Sequence, residues 1–352
     1  MKTRVAINGF GRIGRTVFRV LEERVDAQQS LALTAINEIA DPATVVHLAR
    51  FDSTHGRFPG VITGTDQDLT VNGTNIALLR QDTVADLPWR QLEIDLVLEC
   101  TGSFSDRATA LQHIDAGAGR VLFSQPAAPD VDATIVWGIN QQDLTPEAQI
   151  VSAGSCTTNA IIPVLSVLDE AFGIDVGTMT TIHSAMNDQP VLDAYHNTDL
   201  RKTRAAFNSI IPVDTGLAVG IGRILPALAG KFTAQALRVP TLNVSAIDLA
   251  LVTHKPCSQS AVNAVLAEAA AGPLAGILGF TTEPLASCDF ARESCSSIVD
   301  ASQTQVSGDK LVKVLIWFDN EWAYANRLLD IALQLHAFGQ PNARPRSAPS
   351  SL

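Results

Sequence analysis

Residues 4–21 set the tightest limit on what this chain can fold into. Arg4-Val5-Ala6-Ile7-Asn8 is a short apolar strand, Gly9-Phe10-Gly11-Arg12-Ile13-Gly14 follows at once, and Arg15-Thr16-Val17-Phe18-Arg19-Val20-Leu21 continues as a helix. A G-x-G-x-x-G sequence alone says little. Set between a strand and a helix it says much more, because each glycine then has a task. Gly9 permits the tight turn, Gly11 lets the backbone approach a pyrophosphate, and Gly14 lets the helix pack on the strand. A second apolar strand over residues 31–36 ends in Asn37-Glu38, and Glu38 lies 24 positions past Gly14. That is near the ~20-residue offset at which an acid binds a ribose 2′-hydroxyl. A carboxylate there repels a 2′-phosphate, so the expected cofactor is NAD rather than NADP.

Composition bounds the rest. A length of 352 residues suits two domains, and 46% hydrophobic against 17% charged residues is enough apolar material for a sizeable core. A net charge of −11 argues against nucleic-acid or anionic-membrane partners. No apolar run reaches the ~18 residues of a membrane span. Met1-Lys2-Thr3 leads straight into the first strand, so a cytoplasmic protein without a leader is expected. The cysteines, at 100, 156, 257, 288 and 295, form no C-x-x-C pair and no metal spacing with histidine. They read as reduced thiols, with no metal site.

One of those thiols stands out. Ser155-Cys156-Thr157-Thr158-Asn159 follows a strand, Ala148-Gln149-Ile150-Val151-Ser152, and opens an apolar helix. A thiol there faces the unpaired N–H groups and positive dipole end of the helix, which favour thiolate and lower its pKa. His183 comes 27 positions later, at the end of the strand Thr180-Thr181-Ile182-His183. Cys156 as nucleophile and His183 as base form the candidate catalytic pair.

Strand and helix alternate up to about residue 152, with further strands at 94–100, 119–124 and 134–138. After residue 160 the strands at 176–182, 235–240, 243–251 and 310–318 are longer and more β-branched. They predict a mixed, mostly antiparallel sheet with helices such as 258–271 on one face. The fold expected is therefore an α/β Rossmann-type NAD-binding domain, residues 1–154, and an α+β catalytic domain, residues 155–319. An amphipathic helix at about 320–338 returns to the first domain, and 339–352 reads as a flexible tail. Residues 184–211 lack periodicity and carry Arg201-Lys202-Thr203-Arg204; a loop this long is usually functional.

Four motifs together carry a family resemblance. Ile7 to Arg15, Asp52-Ser53-Thr54-His55-Gly56-Arg57-Phe58, Ser155 to Asn159 and Asp319-Asn320-Glu321 resemble the glyceraldehyde-3-phosphate dehydrogenase family. The likeness covers roughly residues 3 to 335. Within it, Asn37-Glu38, residues 182–189, Asp193-Ala194-Tyr195-His196 and residues 210–215 resemble the branch that oxidises D-erythrose 4-phosphate to 4-phosphoerythronate on the route to pyridoxal phosphate. The resemblance implies backbone donors for the NAD pyrophosphate at Arg12 and Ile13, a ribose ligand at Glu38, and a nicotinamide-carboxamide ligand at Asn320. It implies substrate contacts at Ser155, Thr157, Thr215, Gly216 and Arg238, and a homotetramer. Several positions depart from the family pattern. Ser152-Ala153-Gly154 stands for Ser-Asn-Ala, Ala160 for a common cysteine, and Asp82 for an arginine near the adenine. Gly216 follows the glycolytic pattern instead of the lysine of the erythrose-4-phosphate branch.

The chemistry expected is attack of Cys156 on an aldehyde carbon, hydride loss and a thioester. In glycolytic homologues small hydroxyl residues after the histidine hold the attacking phosphate. Here those positions are Met186 and Asp188. A thioether donates nothing and a carboxylate repels an anion. Arg238 and the 201–204 cluster, Lys202 foremost, remain to hold the phosphate of a sugar phosphate substrate. Water is then the second nucleophile. The alternative is the phosphorylating glyceraldehyde-3-phosphate dehydrogenase of glycolysis, which Gly216 supports.

Overall fold

A computed structural model describes residues 1–196 and 199–339. The first half builds on strands β1 (Thr3–Asn8) and β2 (Leu31–Asn37), joined by helices α1 (Arg12–Glu23) and α2 (Val25–Ser30). Helix α3 (Pro42–Arg50) leads to a two-stranded ribbon, β3 (Phe51–Asp52) and β4 (Gly56–Arg57). Strands β5 (Ile62–Gly64), β6 (Asp68–Val71) and β7 (Thr74–Leu79) follow, then β8 (Leu96–Glu99), α4 (Arg107–Asp115), β9 (Arg120–Phe123), β10 (Ala133–Thr134) and β11 (Ile150–Ser152). Nine of these strands form one sheet in the order β10-β11-β9-β8-β1-β2-β7-β6-β5. The pairs from β10 to β7 are parallel, while β7-β6-β5 closes one edge as an antiparallel meander. The order reverses at β1, so the carboxyl ends of β1, β2 and β8 open on the crevice where such sheets bind ligands. The strand expected at 134–138 shrinks to the two residues of β10, because turns follow it directly.

The second half is a seven-stranded sheet. Helix α5 (Cys156–Phe172) leads into β12 (Ile174–His183), then β13 (Ile211–Val213), α6 (Leu217–Ile224), β14 (Phe232–Arg238) and β15 (Ser245–Thr253). Helix α7 (Gln259–Ala271) precedes β16 (Leu278–Thr281), β17 (Ser297–Ser307) and β18 (Leu311–Phe318). The order is β13-β14-β12-β15-β18-β17-β16, with β12-β14 and β16-β17 parallel and the other pairs antiparallel. The expected mixed, mostly antiparallel sheet is there, with β13, β16 and β17 added to the strands the sequence made visible.

Helix α8 (Trp322–Phe338) leaves β18 and returns to the first sheet. It was expected to be amphipathic; instead its first three turns are buried almost all round, Leu328, Leu329 and Ile331 completely. Burying a leucine or isoleucine contributes about 1.5–3 kcal/mol over leaving it exposed. The same core takes Phe18 from α1 and Val5 and Ile7 from β1. A second core packs Ile161, Leu165 and Leu168 of α5 and Val262 of α7 against Ile247 and Val314 of the second sheet. Among the described residues no helix is long and apolar enough to cross a membrane. Beyond Gly339, the tail expected at 339–352 lies outside the described residues.

Candidate active site

The glycine turn is built as its sequence requires. Gly9 has φ +89°, a conformation side chains rarely adopt, and a Cβ on it would lie 2.6 Å from the Thr101 backbone. A Cβ on Gly14 would lie 2.1 Å from the Gly9 carbonyl oxygen. A Cβ on Gly11 would meet nothing within 4 Å. Two glycines are thus needed for packing, and the middle one faces open space in front of the α1 N-terminus, where backbone donors can take a pyrophosphate.

A cavity of about 320 Å³ opens beside this turn, lined by Asn8, Gly9, Gly11, Glu38, Asp82 and Thr101 among others. Glu38 is clasped to the turn, accepting from the Phe10 N–H at 2.9 Å and the Ala40 N–H at 3.2 Å. Below it, polar side chains cross the strand ends. The Asn37 amide donates to Asn8 at 2.7 Å and the Asn8 amide to buried Glu99 at 2.6 Å. Glu99 in turn faces His113, whose Nδ1 accepts from the Trp89 indole at 2.9 Å. Ile13 is partly buried against the first core. The Arg12 side chain turns away from the cleft and donates to Asp52 and Glu321, and Glu321 also meets His55 at 2.8 Å. The Asp52-to-Phe58 motif therefore ties α1 to the start of α8. Burial would raise the Asp52 carboxyl, but the His55 N–H and the Arg12 guanidinium outweigh it and hold the group down at about 2.

Ser155 is the N-cap of α5, accepting from the Thr158 N–H at 2.9 Å, so Cys156 is the first helical residue. The turn before it is held through its carbonyls. Asn159 Nδ2 donates to those of Ala153 and Ser155, and the Tyr324 hydroxyl donates to that of Gly154 at 2.6 Å. Cys156 Sγ lies 3.8 Å from His183 Nε2 and 3.9 Å from the Thr157 hydroxyl. His183 Nδ1 faces the Ser184 carbonyl at 2.8 Å and must donate to it, which leaves Nε2 free to accept from the thiol.

The titration of this pair departs from the expectation. Burial pushes the Cys156 thiol up, more strongly than the Thr157 hydroxyl and the nearby N–H groups pull it down. Burial also lowers His183, against the Ser184 carbonyl. The helix end does act on the thiol in the expected sense, but desolvation wins. Burial therefore favours the thiol and the neutral imidazole over the ion pair.

Around His183 the second sheet gathers more of the expected residues. Its register sets His183 beside Arg238, and Arg238 beside Ile211. Arg238 donates to Asp188 at 2.5 Å and to Gln189 at 3.2 Å, and Lys202 donates to the other Asp188 oxygen at 2.9 Å. Asp188 is therefore not the bare repelling charge expected from the sequence. Burial, which would raise its carboxyl, is outweighed by the two cations, and it stays below the usual range. Lys202 and Arg238 meet through it and leave one net positive charge. Thr215 accepts from the Leu217 N–H at 3.2 Å. Gly216 caps α6 and faces open space. Asn320, just past β18, accepts at Oδ1 from Ser184 and Ser245 at 3.0 and 2.8 Å. Tyr324 and Ser245 escaped the sequence reading; Gln189 lies within the flagged 182–189 motif but carried no role of its own there.

Residues 3–107 match the family description "Glyceraldehyde 3-phosphate dehydrogenase, NAD binding domain", and residues 155–320 match "Glyceraldehyde 3-phosphate dehydrogenase, C-terminal domain". The chain belongs to the glyceraldehyde-3-phosphate dehydrogenase family. As a member it is an NAD-dependent oxidoreductase, and the open space at Gly11 and the carboxylate of Glu38 fit that cofactor. Cys156, His183 and Asn320 lie at the junction of the two sheets.

Proposed function

We propose that this enzyme oxidises D-erythrose 4-phosphate to 4-phospho-D-erythronate, in pyridoxal phosphate biosynthesis, through a Cys156 thioester that water hydrolyses. The observation that carries the reading is the pair Met186 and Asp188. Met186 and Asp188 offer no hydrogen-bond donor to an attacking inorganic phosphate, whereas water needs none there. The Asp188 bridge leaves Lys202 and Arg238 one net positive charge for the substrate's own phosphate.

The chemistry follows from the neutral pair. As Cys156 Sγ bonds to the aldehyde carbon, its proton passes to His183 Nε2 and on to the carbonyl oxygen, giving a thiohemiacetal. His183 then takes the hydroxyl proton as the C–H bond breaks. The hydride would go to NAD, which supplies the acceptor when bound. Water adds to the thioester carbon, the C–S bond breaks, and the thiol recovers its proton. When NAD is bound, Glu38 would hold its ribose, the N–H groups of Arg12 and Ile13 its pyrophosphate and Asn320 its carboxamide, with Asp82 towards the adenine. Ser155, Thr157, Thr215 and Gly216 border the substrate, and Arg238 with Lys202 holds its phosphate.

We take residues 1–154 with the last helix as the cofactor domain, 155–319 as the catalytic domain, and the protein as a cytoplasmic homotetramer. The second reading, phosphorylating oxidation of glyceraldehyde 3-phosphate, has Gly216 in its favour. The test is product identity by mass with each aldehyde, with and without inorganic phosphate. An acid formed at a rate indifferent to phosphate is expected; an acyl phosphate would return the enzyme to glycolysis.

A further inference from the structure

We propose that Ser245 is a positioning residue that decides which atom of the Asn320 amide faces the cofactor. The inference rests on the reading of Asn320 as the carboxamide ligand. Its geometry comes from the ends of three adjacent strands. His183 closes β12, Ser245 opens β15 and pairs in register with Phe318, and Asn320 follows β18. Ser184, Ser245 and Asn320 are all buried.

The direction of each hydrogen bond follows from what each group can donate. The Ser184 N–H donates to Ser245 Oγ at 3.1 Å. With its oxygen accepting there, the Ser245 hydroxyl proton goes to the acceptor 2.8 Å away, Asn320 Oδ1. A flipped amide would aim N–H groups at that hydroxyl and leave its proton without an acceptor, which is costly in a buried site. Ser184 exerts no such choice. Its hydroxyl lies 3.0 Å from the same Oδ1, and with no other bond fixing it among the described residues, it can donate to an oxygen or accept from an amide nitrogen equally. Ser245 therefore sets the orientation, and Asn320 is left with Nδ2 to donate. A donor selects a ring substituent that accepts, the carbonyl of a carboxamide, and not its amino group. The same serine holds Ser184, whose carbonyl fixes the His183 tautomer. One hydroxyl thereby links the amide that grips the ring to the imidazole that serves the thiol.

The experiment measures Kd by protein-fluorescence quenching for NAD and for its 3-acetylpyridine analogue, which keeps the ring carbonyl and replaces the amino group with methyl. With Ser245→Ala or Ser245→Cys the amide is free to rotate. NAD can then bind through its amino group, while the analogue still needs Nδ2. The ratio of analogue Kd to NAD Kd should rise about fivefold, the effect of one neutral hydrogen bond. Ser184→Ala and Ser245→Thr should leave the ratio within about twofold. Equal weakening of both ligands by Ser245→Ala, an unchanged ratio, or an equal shift from Ser184→Ala would each overturn the proposal. Asn320→Leu separates the two levels. If it leaves NAD affinity intact, the reading of Asn320 fails; if it weakens NAD while the serine variants leave the ratio alone, only the role of Ser245 fails.

Discussion

Burial drives Cys156 and His183 towards their neutral forms from opposite sides, and this has a measurable signature. The thiol titrates above its ordinary value of 9.0 and the imidazole below 6.5. Both shifts disfavour coexistence of thiolate and imidazolium in the free protein. Inactivation of apo-enzyme by iodoacetamide should climb with pH through 9 and beyond, with no plateau near neutrality; a rate already level at pH 7 would establish an ion pair. Cys156→Ala should abolish NADH formation and leave the NAD Kd within about twofold, since the glycine turn and Glu38 are untouched. His183→Asn should slow turnover by about 10²–10⁴-fold through loss of base catalysis. Both residues could be singled out because thiol and imidazole are rare, reactive types in telling contexts. Ser245 could not. It lies 61 positions from Ser184, and strand register, which a linear reading does not contain, is what joins them.

The turn between β1 and α1 offers a test in which two glycines of one motif behave differently. Gly14→Ala puts a methyl group against a backbone carbonyl that cannot move without the turn. It should destabilise by about 1–3 kcal/mol, as overpacking does, seen as a lower urea midpoint in the absence of cofactor. Gly11→Ala adds its methyl to open space. It should leave that midpoint within about 0.5 kcal/mol and weaken NAD about tenfold, because the methyl stands where the backbone approaches the pyrophosphate. Equal stability losses would mean that the open space is needed by the fold itself. Elements whose pattern is strong were legible: β1, α1, β12, β15, β18 and α7 each fall within a few residues of expectation. Those shaped by partners were not. Strand β17 reads Ser-Ile-Val-Asp-Ala-Ser-Gln-Thr-Gln-Val-Ser, too polar to declare itself, and its pairing with β18 breaks register between Asp300 and Gln305. Helix α8 looks amphipathic in isolation and is buried because it shares one core with α1 and the first sheet.

At the scale of the whole molecule, the described part of residues 184–211 is the surface least suited to water. Leu192, Tyr195 and Leu200 are 77%, 106% and 84% exposed, and Val191 and Ile210 are also largely uncovered. Single exposed apolar residues are ordinary, but so many on one irregular segment fit the subunit interface of the proposed assembly. Two 3₁₀ turns, Leu200–Thr203 and Ala206–Asn208, give this segment its only helical pieces among the described residues. It carries Asp188 and Lys202 at one end of the chain of contacts to Arg238. A neighbouring copy covering it would thus hold in place the groups we assign to the sugar phosphate. The proposed homotetramer should show a light-scattering mass about four times the 37.4 kDa of the chain at micromolar concentration. The double variant Leu192→Asp, Tyr195→Asp should break that assembly, since two buried charges without partners oppose association. Because Cys156 and His183 lie in the second sheet and its helix, the dispersed enzyme should keep its Cys156 alkylation profile. Its KM for erythrose 4-phosphate should rise, because Lys202 and Asp188 then sit on an unsupported loop. A wild-type monomer, or a dispersed variant with unchanged KM, would show that the exposed segment neither joins subunits nor is braced by them.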